Sequence, residues 1–100
     1  MEHPRFILIR EWASDRGILI EGDPKTQVLK LVEEVGELSS AILEEDEDDI
    51  IDAIGDCVVV LTNLSYLCGL KIEDCIDSAY EMIKDRKGKM NNGTFVKYEQ

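Results

Sequence analysis

One hundred residues set the scale of a single domain, read here as residues 1–100. Hydrophobic residues make up 44% and charged residues 33%, the proportions of a globular chain, which excludes collagen-like, low-complexity and disordered classes. The net charge of −11, from 22 acids against 11 Lys plus Arg, opposes binding to nucleic acid or to an anionic membrane surface. A negatively charged substrate therefore calls for a divalent cation or a local basic patch.

The residues before position 11 hold no long apolar segment and no small-residue cleavage site, so no signal peptide is expected. The longest apolar run, 57–61, is far short of a bilayer span. Cys57, Cys68 and Cys75 form no C-x-x-C pair, and His3 is the only histidine. A disulfide framework and a zinc site are both disfavoured, and reduced thiols in a cytoplasmic protein are expected.

In chain order, a first helix is predicted over 4–16, with Phe6, Ile9, Trp12 and Ala13 on one face and Gly17 as its stop. Residues 17–22 read as a connector compatible with extended backbone. A second helix starts strongly, with Asp23 as cap and Pro24 at the first helical position, and continues to about Glu45. Its apolar stripe is Val28, Leu31, Val35, Leu38 and Ile42. The acidic segment 44–49 reads as a solvated junction whose last acids suit the start of a third helix, ending near Cys68 before Gly69. That helix is rich in Val and Ile but too long for a strand. A fourth helix is predicted over 72–87, with Ile72, Cys75, Ile76, Ala79 and Ile83 inward and Lys84, Arg86 and Lys87 in its last turn. Residues 91–100 form a polar tail in which Asn92-Gly93 suits a hairpin turn. An all-α four-helix bundle follows.

The chemical signal is the placement of acids. Glu34 and Glu37 lie three apart on a line bordering the apolar stripe of the second helix, with Glu33 beside them. Asp52 and Asp56 lie four apart on a helix that must be largely buried, and Asn63 continues their line. An unpaired carboxylate there would protonate or acquire a cation. If the two helices pack antiparallel, the four acids converge, with Lys30 the nearest positive charge in sequence. Such oxygen ligands suit Mg²⁺ or Mn²⁺. Gly36 and Gly55, inside helices at a cost of about 1 kcal/mol each against Ala, would let a second helix or a ligand approach.

These motifs resemble the MazG-like branch of the all-α nucleoside triphosphate pyrophosphohydrolases. The matching segments are Lys30-Leu31-Val32-Glu33-Glu34-Val35-Gly36-Glu37-Leu38 and Ile54-Gly55-Asp56 with Asn63 behind it. Trp12, Arg16-Gly17, Asp23-Pro24-Lys25 and Ile83 to Lys89 also look like small members of that group, including phage-encoded ones. The resemblance implies hydrolysis of an NTP or dNTP between the α and β phosphates. It also implies metal ligation by Glu34, Glu37 and Asp56, and assembly as a homodimer or homotetramer. At the position three before Asp56, where the family has Glu, this sequence has Ala53, and Asp52 is the candidate substitute ligand. Glu33 or Glu34 would orient the attacking water. Lys30, Lys84, Arg86 and Lys87 would hold phosphates, although the last three also suit dipole compensation at a helix end. Asn63 would bond sugar or phosphate, or be a solvated polar position. Trp12 would stack on a base or belong to the core. The expected setting is the cytoplasm of a bacterium or a phage-infected host. A non-catalytic nucleotide- or partner-binding module and a phosphoribosyl-ATP-type pyrophosphohydrolase are the alternative functions.

Overall fold

A computed structural model describes residues 4–99; His3 lies outside the described residues. The described chain is mostly helical: α1 Arg5–Asp15, α2 Ile18–Glu21, α3 Pro24–Glu44, α4 Glu47–Leu67 and α5 Ile72–Ile83, followed by β1 Gly88–Asn91 and β2 Thr94–Lys97. The predicted capping of α3 holds in detail. Asp23 accepts a hydrogen bond from the Thr26 backbone N–H at 2.9 Å and another from the Thr26 hydroxyl at 2.8 Å, with Pro24 opening α3. At the start of α4, the Asp46 side chain accepts from the Asp49 N–H at 3.1 Å.

Only Glu45 and Asp46 separate α3 from α4, with Glu45 in the left-handed region at φ 56°. So short a turn folds the two helices antiparallel into the main hairpin of the molecule, and α1 and α2 pack on α4. Ala41 and Ala53 are both buried, and their small side chains bring α3 and α4 together. Among the described residues, α4 alone is long and apolar enough to cross a membrane by length and composition. Here it is the central helix, touching α1, α2, α3 and α5.

Four expectations are corrected. The connector over 17–22 contains the helical turn α2, because half-buried Ile18 and Leu19 pack it against α4. A segment this short shows no periodicity from which the turn could be read. A Cβ at Gly22 would collide with the Ile18 carbonyl, which explains the glycine that closes this turn. Secondly, α3 is rotated from its apolar stripe: Glu34 and Ala41 are buried, whereas Val28, Val35 and Ile42 are exposed. Thirdly, Trp12 is exposed rather than packed, with the Arg16 guanidinium 4.4 Å over its ring.

Finally, the fourth predicted helix stops at Ile83, and the chain turns into a β-hairpin. The register pairs Gly88 with Lys97 and Asn91 with Thr94. Asn92 (φ 50°) and Gly93 (φ 84°) supply the two left-handed positions of a tight hairpin turn. The Tyr98 N–H donates to the Lys87 carbonyl at 2.9 Å, so Lys87 is held by the hairpin rather than by a helix end. No residue of α5 is buried, and Ile76, Ala79 and Ile83, expected inward, are exposed. At its start, α5 is tied to α1 by Arg10, which donates to both Glu73 carboxylate oxygens at 2.7 Å.

The exposed surface totals 8024 Å². A monomeric protein of 11.3 kDa ordinarily exposes about 5,700 Å². The radius of gyration is 16.0 Å, against about 13 Å for a compact chain of this length. The chain thus exposes more surface than its size requires, with Ile20, Leu29, Leu43 and Met82 among the uncovered apolar side chains.

Candidate metal centre

The antiparallel α3–α4 pair places Glu34 and Glu37 opposite Asp56. One carboxylate oxygen from each lies within 4.8 Å of the others. Glu34 is 6% exposed, an unusual place for a carboxylate. Its Oε1 faces Lys30 Nζ at 3.3 Å, and Lys30 also reaches Glu33 at 3.3 Å. Its Oε2 is buried without any hydrogen-bond partner. The neighbouring Glu34 charge is the chief cause that raises the Glu37 carboxyl above its ordinary value. A cation between the two carboxylates would relieve the repulsion of their like charges.

Around this triad runs a trough of about 580 Å³, lined by Glu33, Gly36, Glu37, Ser40, Ala41, Glu44, Asp49, Asp52, Ala53 and Asp56. Six of these residues are acids and none is basic. At its far end Asp49 is also raised, chiefly by the neighbouring Asp46 charge and then by burial. The donor set fits a hard cation: every polar side chain offers oxygen, and no histidine or cysteine lines the trough. Oxygens on opposite sides of an octahedral Mg²⁺ lie about 4.2 Å apart. Three oxygens within 4.8 Å of one another lie near enough for side-chain movement to bring them onto one ion.

The structure brings together most, not all, of the residues that the sequence singled out. Glu34, Glu37 and Asp56 converge, Glu33 stands exposed at the rim, and Lys30 bridges Glu33 and Glu34. Asp52 lines the trough but lies outside the triad, so the expected fourfold convergence is threefold. Asn63 is 3% exposed, which removes the solvated alternative, and its Oδ1 has no hydrogen-bond partner. Lys84 pairs with Glu81 at 2.6 Å. Arg86 and Lys87 line a separate cavity with Lys97 and Tyr98, which shares no residue with the trough.

A second cavity, of about 480 Å³, went unseen in the sequence. It lies between α1 and α4, is lined by Arg5, Phe6, Ile9, Ile51, Gly55, Val58 and Val59, and shares Asp52 and Asp56 with the trough. Neither cavity includes Trp12. The pairing of α1 with α4 is a long-range contact that local periodicity does not encode.

The fold and the site define a helical protein with a carboxylate centre suited to a divalent cation. The model of the MazG nucleotide pyrophosphohydrolase domain matches residues 23–90, and the chain belongs to that family. It is also similar to an uncharacterized 18.2 kDa protein encoded in the rep–hol intergenic region of Haemophilus phage HP1 (strain HP1c1), 40% identical over 75 residues. That match takes in 75% of this chain but only 42% of the phage protein. No solved structure matches.

Proposed function

We propose that this protein is a divalent-cation-dependent nucleoside triphosphate pyrophosphohydrolase, splitting an NTP or dNTP into a nucleoside monophosphate and pyrophosphate. The observation that carries the reading is the triad Glu34, Glu37 and Asp56, in which Glu34 is buried and its Oε2 has no hydrogen-bond partner. These three residues would hold Mg²⁺ or Mn²⁺. Bound there, the ion supplies positive charge against the phosphoryl oxygens on which charge builds. Glu33, the exposed acid at the rim, accepts a proton from the attacking water. The water oxygen bonds to the α-phosphorus as the bond from that phosphorus to the bridging oxygen breaks, and the electron pair leaves with pyrophosphate. Lys30 pairs with both Glu33 and Glu34 and orients the two carboxylates. Asn63, buried on α4 with an unmatched carbonyl oxygen, would bond sugar or phosphate.

The uncovered apolar surface supports a homodimer or homotetramer. In such an assembly Lys84, Arg86 and Lys87 would reach outer phosphates from a neighbouring copy, since within one chain Arg86 and Lys87 line a different cavity. The reading places the protein in the cytoplasm, where nucleoside triphosphates are held.

The test is incubation with Mg²⁺ and a panel of NTPs and dNTPs, with products resolved. Monophosphate plus pyrophosphate is expected, and Glu37→Gln should lower turnover by at least about a hundredfold. Release of inorganic phosphate with a diphosphate product would reject the proposed bond. One observation favours a second reading, a module that binds without turnover: Ala53 lines the trough at the position where the family carries Glu. Tight binding by calorimetry with no product would select it.

A further inference from the structure

We infer that α5 is a self-docking helix, whose apolar face lies antiparallel against α5 of a second copy of this chain. Of the four longer helices, α5 separates apolar from polar residues most sharply, yet none of its residues is buried. Its start is held to the body by the Arg10–Glu73 ion pair, and Ile72 and Cys75 are half-buried there. Beyond them the same face runs on through Ile76, Ala79, Tyr80 and Ile83, all exposed, Tyr80 by 59%. Spacings of three and four keep these residues on one side of a helix of 12 residues, about 18 Å long. The 8024 Å² of exposed surface exceeds the ordinary value for this mass by about 2,300 Å², and each partner of a stable pair gives up only about 800 Å².

Charge selects both the occupant and its direction. The first two turns of α5 carry Glu73, Asp74 and Asp77, whereas Lys84, Arg86 and Lys87 follow its last turn. Lys84 pairs with Glu81 of its own helix, but among the described residues Asp74, Asp77, Arg86 and Lys87 have no ion pair in their own chain. A helix with one sign at each end is its own complement when reversed. An antiparallel pair sets the acidic start of each copy against the basic end of the other, and the helix dipoles oppose favourably as well. A parallel pair would set like against like. Aligning the two stripes about a two-fold axis puts Ile72 opposite Ile83 and Ile76 opposite Ala79 of the second copy, so a large side chain meets a small one near the middle of the contact. The inference rests on the assembly proposed above, to which it adds a surface and a direction, and it is independent of the reaction. None of these residues lines the acidic trough.

Sedimentation velocity of the full chain over a concentration series tests the pairing. Phosphate would compete with the acids for Arg86 and Lys87, so the measurement is made without nucleotide. Tyr80→Glu, at an exposed position, should weaken self-association about tenfold or more. Asp74→Lys with Asp77→Lys in one variant, and Arg86→Glu with Lys87→Glu in another, should each weaken it about tenfold at low salt, because each makes the two ends of the helix alike. Mixing these two charge variants should restore association to within about threefold of wild type, since every end then meets its opposite. That rescue requires folded chains, so it separates lost pairing from lost folding. Charge variants that associate like wild type, or that fail to rescue one another, would overturn the α5 pairing and leave assembly to another face, such as the apolar stripe of α3. A monomeric wild type would remove the proposed assembly and this contact together.

Discussion

Glu34 and Asn63 each bury an oxygen with no hydrogen-bond partner. Such an atom costs about 1–3 kcal/mol, so its persistence argues for a ligand that satisfies it. Replacing Asn63 by Leu, of similar volume, should therefore raise the melting temperature while lowering nucleotide turnover. A variant that melts lower would show that the amide is structural. The Arg10–Glu73 pair behaves differently, because both partners are satisfied. The guanidinium holds the Glu73 carboxyl down at about 2, against an ordinary 4.5. A depressed carboxyl stabilises the fold fully above about 4.5 and loses that contribution as pH falls through about 2. Glu73→Gln should thus lower the melting temperature at pH 7, and the difference from wild type should shrink between those two pH values. The carboxylate is part-exposed, so salt should weaken the effect.

At the scale of elements, α3 presents two stripes a small rotation apart, one apolar and one carrying Gln27, Glu34, Glu37 and Ala41. The sequence favours burial of the first, and the α3–α4 contact buries part of the second. The reason is local: Ala41 on α3 and Ala53 on α4, both buried, let the backbones approach, which larger side chains such as Val35 or Ile42 would prevent. The carboxylates turn inward with Ala41 because they share its stripe. Gly36→Ala should raise stability by up to about 1 kcal/mol, a melting shift of roughly 4–8 °C, since the added methyl meets nothing. A drop on thermal denaturation would show a contact at that position. The hairpin and the end of α5 were legible in part: Asn92-Gly93 marked the turn, but the strand beginning at Gly88 had no alternating pattern before it.

For the whole molecule, the missing burial is the main fact. Val28, Val35 and Ile42 on α3, with Ile76, Tyr80 and Ile83 on α5, expose apolar surface that a second copy can cover. Sedimentation velocity should show a species larger than one chain, and Val35→Glu should shift it toward monomer, because a charge in an apolar contact carries a desolvation cost. A wild type that sediments as a monomer at micromolar concentration would remove the oligomer from the reading. Addition of Mg²⁺ should raise the melting temperature of wild type, and Glu34→Gln should abolish most of that rise.

The sequence by itself determined the cap of α3, the turn at Asn92-Gly93, and the facing of Glu34 and Glu37 toward Asp56 within the four acids it set together. Each depends on residues within a few positions of one another, or on two long amphipathic helices joined by a turn too short to pair otherwise. Only the tertiary structure decided which face of α3 is buried, that Asp52 stands between two cavities rather than in the triad, and that Phe6 rather than Trp12 lines the apolar one. Those outcomes follow from the angle at which one helix packs on another, set by side-chain volumes from distant parts of the chain, and no spacing along a single helix records it.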